Sequence, residues 1–181
     1  MNRMDAGIAA SLHERSERDR SNEGMNVVIV YENEQTRSWA EKVFHKAISG
    51  NGKHPVRSTW WKLDDLSQPP VLAGAVSTAM RADLIVVSVA SGGGLPLPFY
   101  IWADAWVPNR RVAGGQLVAL IGTKNAQEYR LNHLVRDYLR AAARTAALDF
   151  RLEERTLPEL TLRAATHHRN GSHCAAAAAL S

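Results

Sequence analysis

The sequence predicts an α/β protein built on a doubly wound, open parallel five-stranded sheet in the order 2-1-3-4-5. Three observations predict it. The runs 26–31 (NVVIVY), 82–89 (ADLIVVSV) and 116–121 (QLVALI) are short, rich in β-branched residues and almost unbroken in apolar character. Strands buried on both faces require that pattern. Helical patterns lie between them, so strands and helices alternate, and right-handed crossovers then wind the chain into an open sheet covered on both sides.

The elements follow in order. Residues 1–24 are polar and rich in Arg, Glu and Ser, and are expected to form a flexible arm before a domain at 25–155. After strand 1, the turn Glu32-Asn33-Glu34 leads into an amphipathic helix over 35–49 with Trp39, Val43, Phe44, Ala47 and Ile48 on its apolar side. The stretch Gly50-Asn51-Gly52-Lys53-His54-Pro55 ends it with turn residues. Strand 2 spans 56–63 and carries Trp60 and Trp61, which must point to opposite faces because side chains alternate along a strand. Pro69 and Pro70 open a small-residue helix over 71–81, since a helix start tolerates a missing N–H.

Strand 3 ends in the loop Ser91-Gly92-Gly93-Gly94. Pro96 and Pro98 then open a helix with Phe99, Trp102, Ala103 and Trp106 on one face. A partly exposed tryptophan there would suit self-association. Strand 4 is followed by the longest helical pattern, 126–148, with the stripe Leu131, Leu134, Val135, Tyr138, Leu139 and Ala142. Residues 149–154 (DFRLEE) form a short polar strand at a sheet edge, and 156–181 a poorly ordered tail.

Charge and cysteine narrow the function classes. The chain has 181 residues, a formal charge of +4 and 45% hydrophobic residues, ordinary for a globular domain. The surplus charge is dispersed, with Arg110-Arg111 the only basic doublet, so nucleic acid is not an expected partner. No apolar run reaches the roughly 18 residues that a membrane span needs. The N-terminus lacks the apolar stretch of a secretory signal and the only cysteine is Cys174, so a cytoplasmic location is expected and no internal disulfide can form. His167, His168, His173 and Cys174 match no standard metal-binding spacing, and no metal site is expected there.

Ligands of doubly wound sheets bind beyond the carboxyl ends of the strands, where the winding reverses between strands 1 and 3. The candidate ligand-binding residues are therefore Glu32, Glu34, Ser88, Ser91, Gly92, Gly93 and Thr123. Glu32 and Glu34 can hold a divalent cation, or they form a solvated acidic turn favourable to a helix N-terminus. Two negative charges and no glycine make that turn a poor phosphate cradle, and no G-x-G-x-x-G follows strand 1, so no flavin or dinucleotide cofactor is expected. The three glycines after strand 3 admit a ligand closely, or serve as a hinge. They lack the Lys-Ser/Thr pair of a P-loop. Ser88 is set in Val-Val-Ser-Val-Ala, not a nucleophile elbow, and no base is aimed at it, so no catalytic residue is assigned.

Over 26–154 the alternation resembles the flavodoxin-like superfold, a three-layer sandwich, and within it the receiver domains of response regulators. Tyr31-Glu32-Asn33-Glu34 falls where receivers carry an acidic pair, Ser88 where they carry the phospho-accepting aspartate, and Gly122-Thr123 where they carry Ser or Thr. Strand 5 ends without their lysine; the next basic residue is Arg155. Without a carboxylate nucleophile, the resemblance implies a degenerate, pseudo-receiver module. It would be non-catalytic and regulatory, acting in signal transduction through protein contacts or self-association. The alternative is a small-molecule or nucleotide-binding protein, with an enzyme included, that uses the loops after strands 1, 3 and 4.

Overall fold

A computed structural model describes residues 24–49, 55–90, 94–110, 112, 114–123 and 132–157. The sheet has five parallel strands in the order β2-β1-β3-β4-β5. They are β1 (Met25–Tyr31), β2 (Val56–Lys62), β3 (Leu84–Ala90), β4 (Gln116–Thr123) and β5 (Asp149–Thr156). The helices are α1 (Glu34–Ser49), α2 (Pro69–Ala79), α3 (Leu97–Trp106) and α4 (Asn132–Thr145), with 3-10 turns at Leu63–Ser67 and Val107–Asn109. Topology, strand order and layering are those the alternation of patterns predicts.

The alternation of side chains divides the core in two. On one face Val28, Val30, Ile85, Val87, Leu117, Ala119 and Ile121 meet α2, α3 and α4. On the other, Val27, Ile29, Leu84, Val86, Val118 and Leu120 meet α1 through Trp39, Ala40 and Phe44. Trp60 and Trp61 separate as expected. Trp60 packs edge-on to Phe44 on the α1 face, while Trp61 lies against Gly74 of α2 and donates its indole N–H to Thr78 Oγ1.

Three local expectations are corrected. Trp102 and Trp106 are 0% and 1% exposed, so they are core; the exposed apolar residues of α3 are Leu97 and Ile101. On α4 the buried stripe is Asn132, Val135, Leu139 and Ala143, and Leu134 is 63% exposed. Leu134 lies about 100° around the helix from Val135, which turns it off the stripe. Finally, β5 runs to Thr156, and Leu157 beyond it is buried against Gly122. The missing side chain of Gly122 is what admits that leucine, and Leu157 N–H closes onto Thr123 O at 2.8 Å.

The predicted arm at 1–24, apart from Gly24, lies outside the described residues, as does the tail beyond Leu157 with its His/Cys group.

Candidate functional site

The winding reverses between β1 and β3. These strands are neighbours, yet α1 leaves β1 toward one face and α3 leaves β3 toward the other. A crevice at the carboxyl ends follows from that divergence.

The turn after β1 forms the near wall. Asn33 caps α1: its Oδ1 accepts from Gln35 N at 3.0 Å and Thr36 N at 3.1 Å. Thr36 reaches back, its Oγ1 accepting from Asn33 N at 2.9 Å and Glu32 N at 3.1 Å and donating to Asn33 O at 2.9 Å. Together these satisfy the N–H groups of residues 32, 33, 35 and 36, among the donors that a helix start leaves open. The sequence YENEQT therefore encodes a closed, self-capped turn.

Glu32 bridges the ends of β1 and β3. Its Oε2 accepts from Ala90 N, the last residue of β3, at 2.7 Å, and its own N–H also reaches Ser88 O at 3.1 Å. Glu34 is exposed in the first turn of α1 and pairs with Arg37 at 3.8 Å. Ser88 lies beside them, paired with Tyr31, but is fully buried. Its hydroxyl donates to Thr36 O at 2.8 Å, so this side chain fastens α1 to β3. Thr123, 5% exposed at the end of β4, has its hydroxyl near Arg155 O at 3.4 Å. The structure thus brings Glu32, Glu34 and Ser88 together at the β1–β3 junction, with Thr123 at the next strand end. Ser91, Gly92 and Gly93 lie outside the described residues. Among the described residues no group of three or more His, Cys, Asp or Glu is placed to hold a metal, and no helix is long and apolar enough to cross a membrane.

Sequence reasoning missed three residues here. Thr36 falls within the helix expected over 35–49 with no role of its own, although its spacing from Asn33 is that of a reciprocal cap. Asn132 is 1% exposed at the start of α4, and neither atom of its carboxamide has a partner. No sequence signal separates a buried asparagine from a solvated one. Arg155 stacks its guanidinium 4.0 Å above the Trp39 ring, and the Trp39 indole N–H donates to Glu153 Oε1 at 3.3 Å. Burial lowers the pKa of Arg155, and the Glu153 charge opposes that shift.

No protein-family model and no curated protein matches the chain. Several solved structures do match in fold. An apo NADH:FMN oxidoreductase superimposes with a TM-score of 0.55 at 15% identity, over 72% of this chain and 74% of its own. An oxidoreductase from Corynebacterium diphtheriae gives 0.52 at 18% identity, over 70% and 78%. A flavodoxin from Streptococcus pneumoniae TIGR4 gives 0.50 at 13% identity, over 73% and 83%. At these identities the likeness shows a flavodoxin-like fold.

These redox and flavin neighbours correct the functional expectation. The reading as a non-catalytic, pseudo-receiver regulatory module of signal transduction does not stand, and neither does the expectation that the chain is no enzyme. The alternative, a small-molecule site at the carboxyl ends of the strands, fits the neighbours better.

FMN itself was tested against the turn. In this fold FMN sits at the β1/β3 switch point. Its phosphate needs free backbone N–H groups. Here the N–H groups of residues 32, 33, 35, 36 and 90 are all taken by Thr36, Asn33 and Glu32, and the Glu32 carboxylate would repel a phosphate. The residues at the β1 turn do not fit the phosphate end of FMN.

Proposed function

We propose that this chain is a small-molecule-binding protein whose ligand lies at the carboxyl ends of β1, β3 and β4 and carries no phosphate at the β1 turn. The observation that carries the reading is the divergence of α1 and α3 from adjacent strands, the switch point beyond which doubly wound sheets take their ligands. Two further observations support it. The neighbours in fold include an NADH:FMN oxidoreductase and a flavodoxin. The unpartnered carboxamide of Asn132 heads the helix that follows β4, where a buried polar group lacks the partner it ordinarily has. Glu32 and Glu34 favour a ligand that is neutral or cationic where it meets the turn. No reaction step is assigned to Ser88, whose hydroxyl is engaged in the fold.

A thermal-shift screen tests the reading, using riboflavin, FMN, nucleosides, nucleotides and nicotinamide compounds. A ligand at 100 times its Kd adds about 2.7 kcal/mol of stability. The expected result is stabilisation by a phosphate-free compound, with the phosphorylated form no better. Stabilisation by none of them, or binding of FMN that depends on its phosphate, overturns the proposal.

A further inference from the structure

At the opposite, amino-terminal edge of the sheet, on the α2 face, there is a cavity of about 160 Å³. Asn26 and Val28 of β1, Arg57 and Thr59 of β2, and Thr78 and Arg81 at the end of α2 line it. Strand alternation explains the grouping. Arg57, Thr59 and Trp61 share one face of β2, and Val28 stands opposite Thr59 in the register.

The polar groups around this cavity are unevenly satisfied. The Thr78 hydroxyl is saturated, donating to Gly74 O and Ala75 O and accepting from Trp61 Nε1. The Thr59 hydroxyl is buried and has no partner. Arg81 donates only to Ser77 Oγ, at 3.2 Å, and neither Arg57 nor Arg81 is paired with a carboxylate among the described residues. Asp83 turns its carboxylate onto Asn26 N, at 2.8 Å. At the C-terminal end of α2, a source of partial negative charge, the carbonyls of Val76, Thr78 and Ala79 accept from the N–H groups of Met80, Arg81 and Ala82. Beside the Asp83 carboxylate remain two guanidinium groups with no carboxylate partner among the described residues and one idle hydroxyl.

We propose that this cavity is an oxyanion site, taking a phosphate or carboxylate group between Arg57 and Arg81 with Thr59 as the inner donor. Its volume is below the several hundred Å³ of a drug-sized pocket, so it holds one charged group on a small body. Guanidinium is the side chain best matched to such a group, because its planar fork donates two parallel hydrogen bonds. Both arginines are solvent-accessible, so binding is modest and weakens with salt. The site lies at the far edge from the proposed crevice and does not depend on it.

The test is an NMR titration of the full chain with inorganic phosphate and, in parallel, acetate, with sodium chloride matched for ionic strength. The expected result is saturable shifts at the amides of residues 57–59 and 78–81, with a Kd in the millimolar range or tighter. Phosphate preferred over acetate identifies a phosphate group as the ligand, and the reverse a carboxylate. Arg57→Gln and Arg81→Gln, both at exposed positions, should each weaken binding about tenfold. Thr59→Val keeps the shape, so it should leave the free protein as stable while weakening binding several-fold. Shifts that do not saturate, that chloride reproduces, or that survive both arginine substitutions overturn the proposal. A loss of stability in Thr59→Val without anion also counts against it, because the hydroxyl would then serve the fold.

Discussion

On one face of the sheet three helices converge over the strands; on the other, among the described residues, α1 stands alone. The three-helix face is closed by bulk. Trp102 and Trp106 pack with their rings tilted and centroids 5.4 Å apart, Phe99 lies 5.2 Å from Trp102, and Phe150 and Leu152 of β5 pack against the same core. The α1 face is closed differently at its β5 end. There, alternation presents Arg151, Glu153 and Arg155, which share a face with Val118 and Leu120 of β4. Arg155 covers Trp39 with its guanidinium, Glu153 takes the indole N–H, and Leu157 folds back over Gly122. Among the described residues, Trp39 is thus covered by a cation where the tryptophans of the other face are covered by helices. A long charged side chain can shield apolar area while its head stays near water.

Substitutions sharpen this contrast. The largest effect is expected on the three-helix face. Trp102→Ala should cost about 3–5 kcal/mol in urea denaturation, the usual range for emptying an aromatic from a packed core. A loss under about 1 kcal/mol would mean that this face is loosely filled. On the α1 face, Gly122→Ala places a methyl group on the Leu157 side chain and should cost about 1–3 kcal/mol. Adding Leu157→Ala should return part of that loss, and a double-mutant cycle with no coupling would break the account of how this corner closes.

The smallest effect comes from Tyr138, which lines a groove of about 450 Å³ between α3 and α4. Burial, with the Asp104 charge adding to it, pushes its pKa up to about 12. The folded state therefore favours the neutral phenol. Its contribution is complete below pH 10 and is lost as pH rises from about 10 toward 12. Melting temperatures across pH 8–11.5 should fall more steeply for the natural chain than for Tyr138→Phe. Parallel curves would show that the phenol is hydrated in the fold.

The contrast also marks where sequence reading reached and where it stopped. Strand order was legible because β-branched runs and helical periods are local signals, and the buried face of α3 was read residue by residue from Phe99, Trp102, Ala103 and Trp106. The α4 stripe was misread at Leu134 because periodicity favours a leucine over Asn132 when both neighbour the stripe. The roles of Ser88 and Arg155 were out of reach for another reason. Ser88 and Thr36 are 52 residues apart, Trp39 and Glu153 are 114 apart, and no local pattern encodes such pairs. At the candidate site, the acidic turn was legible as hostile to phosphate. The capping that closes its N–H groups depends on side-chain geometry that composition does not carry.

The charged row on β5 has a consequence for self-assembly. Among the described residues β5, eight residues long, has a partner only in β4. A second copy joining through a two-fold axis would run antiparallel, and with the axis at Glu153 it would set Glu153 beside Glu153 and Arg151 beside Arg155, bringing like charges to about 5 Å. The charged row on β5 thereby discourages edge-to-edge pairing of two copies.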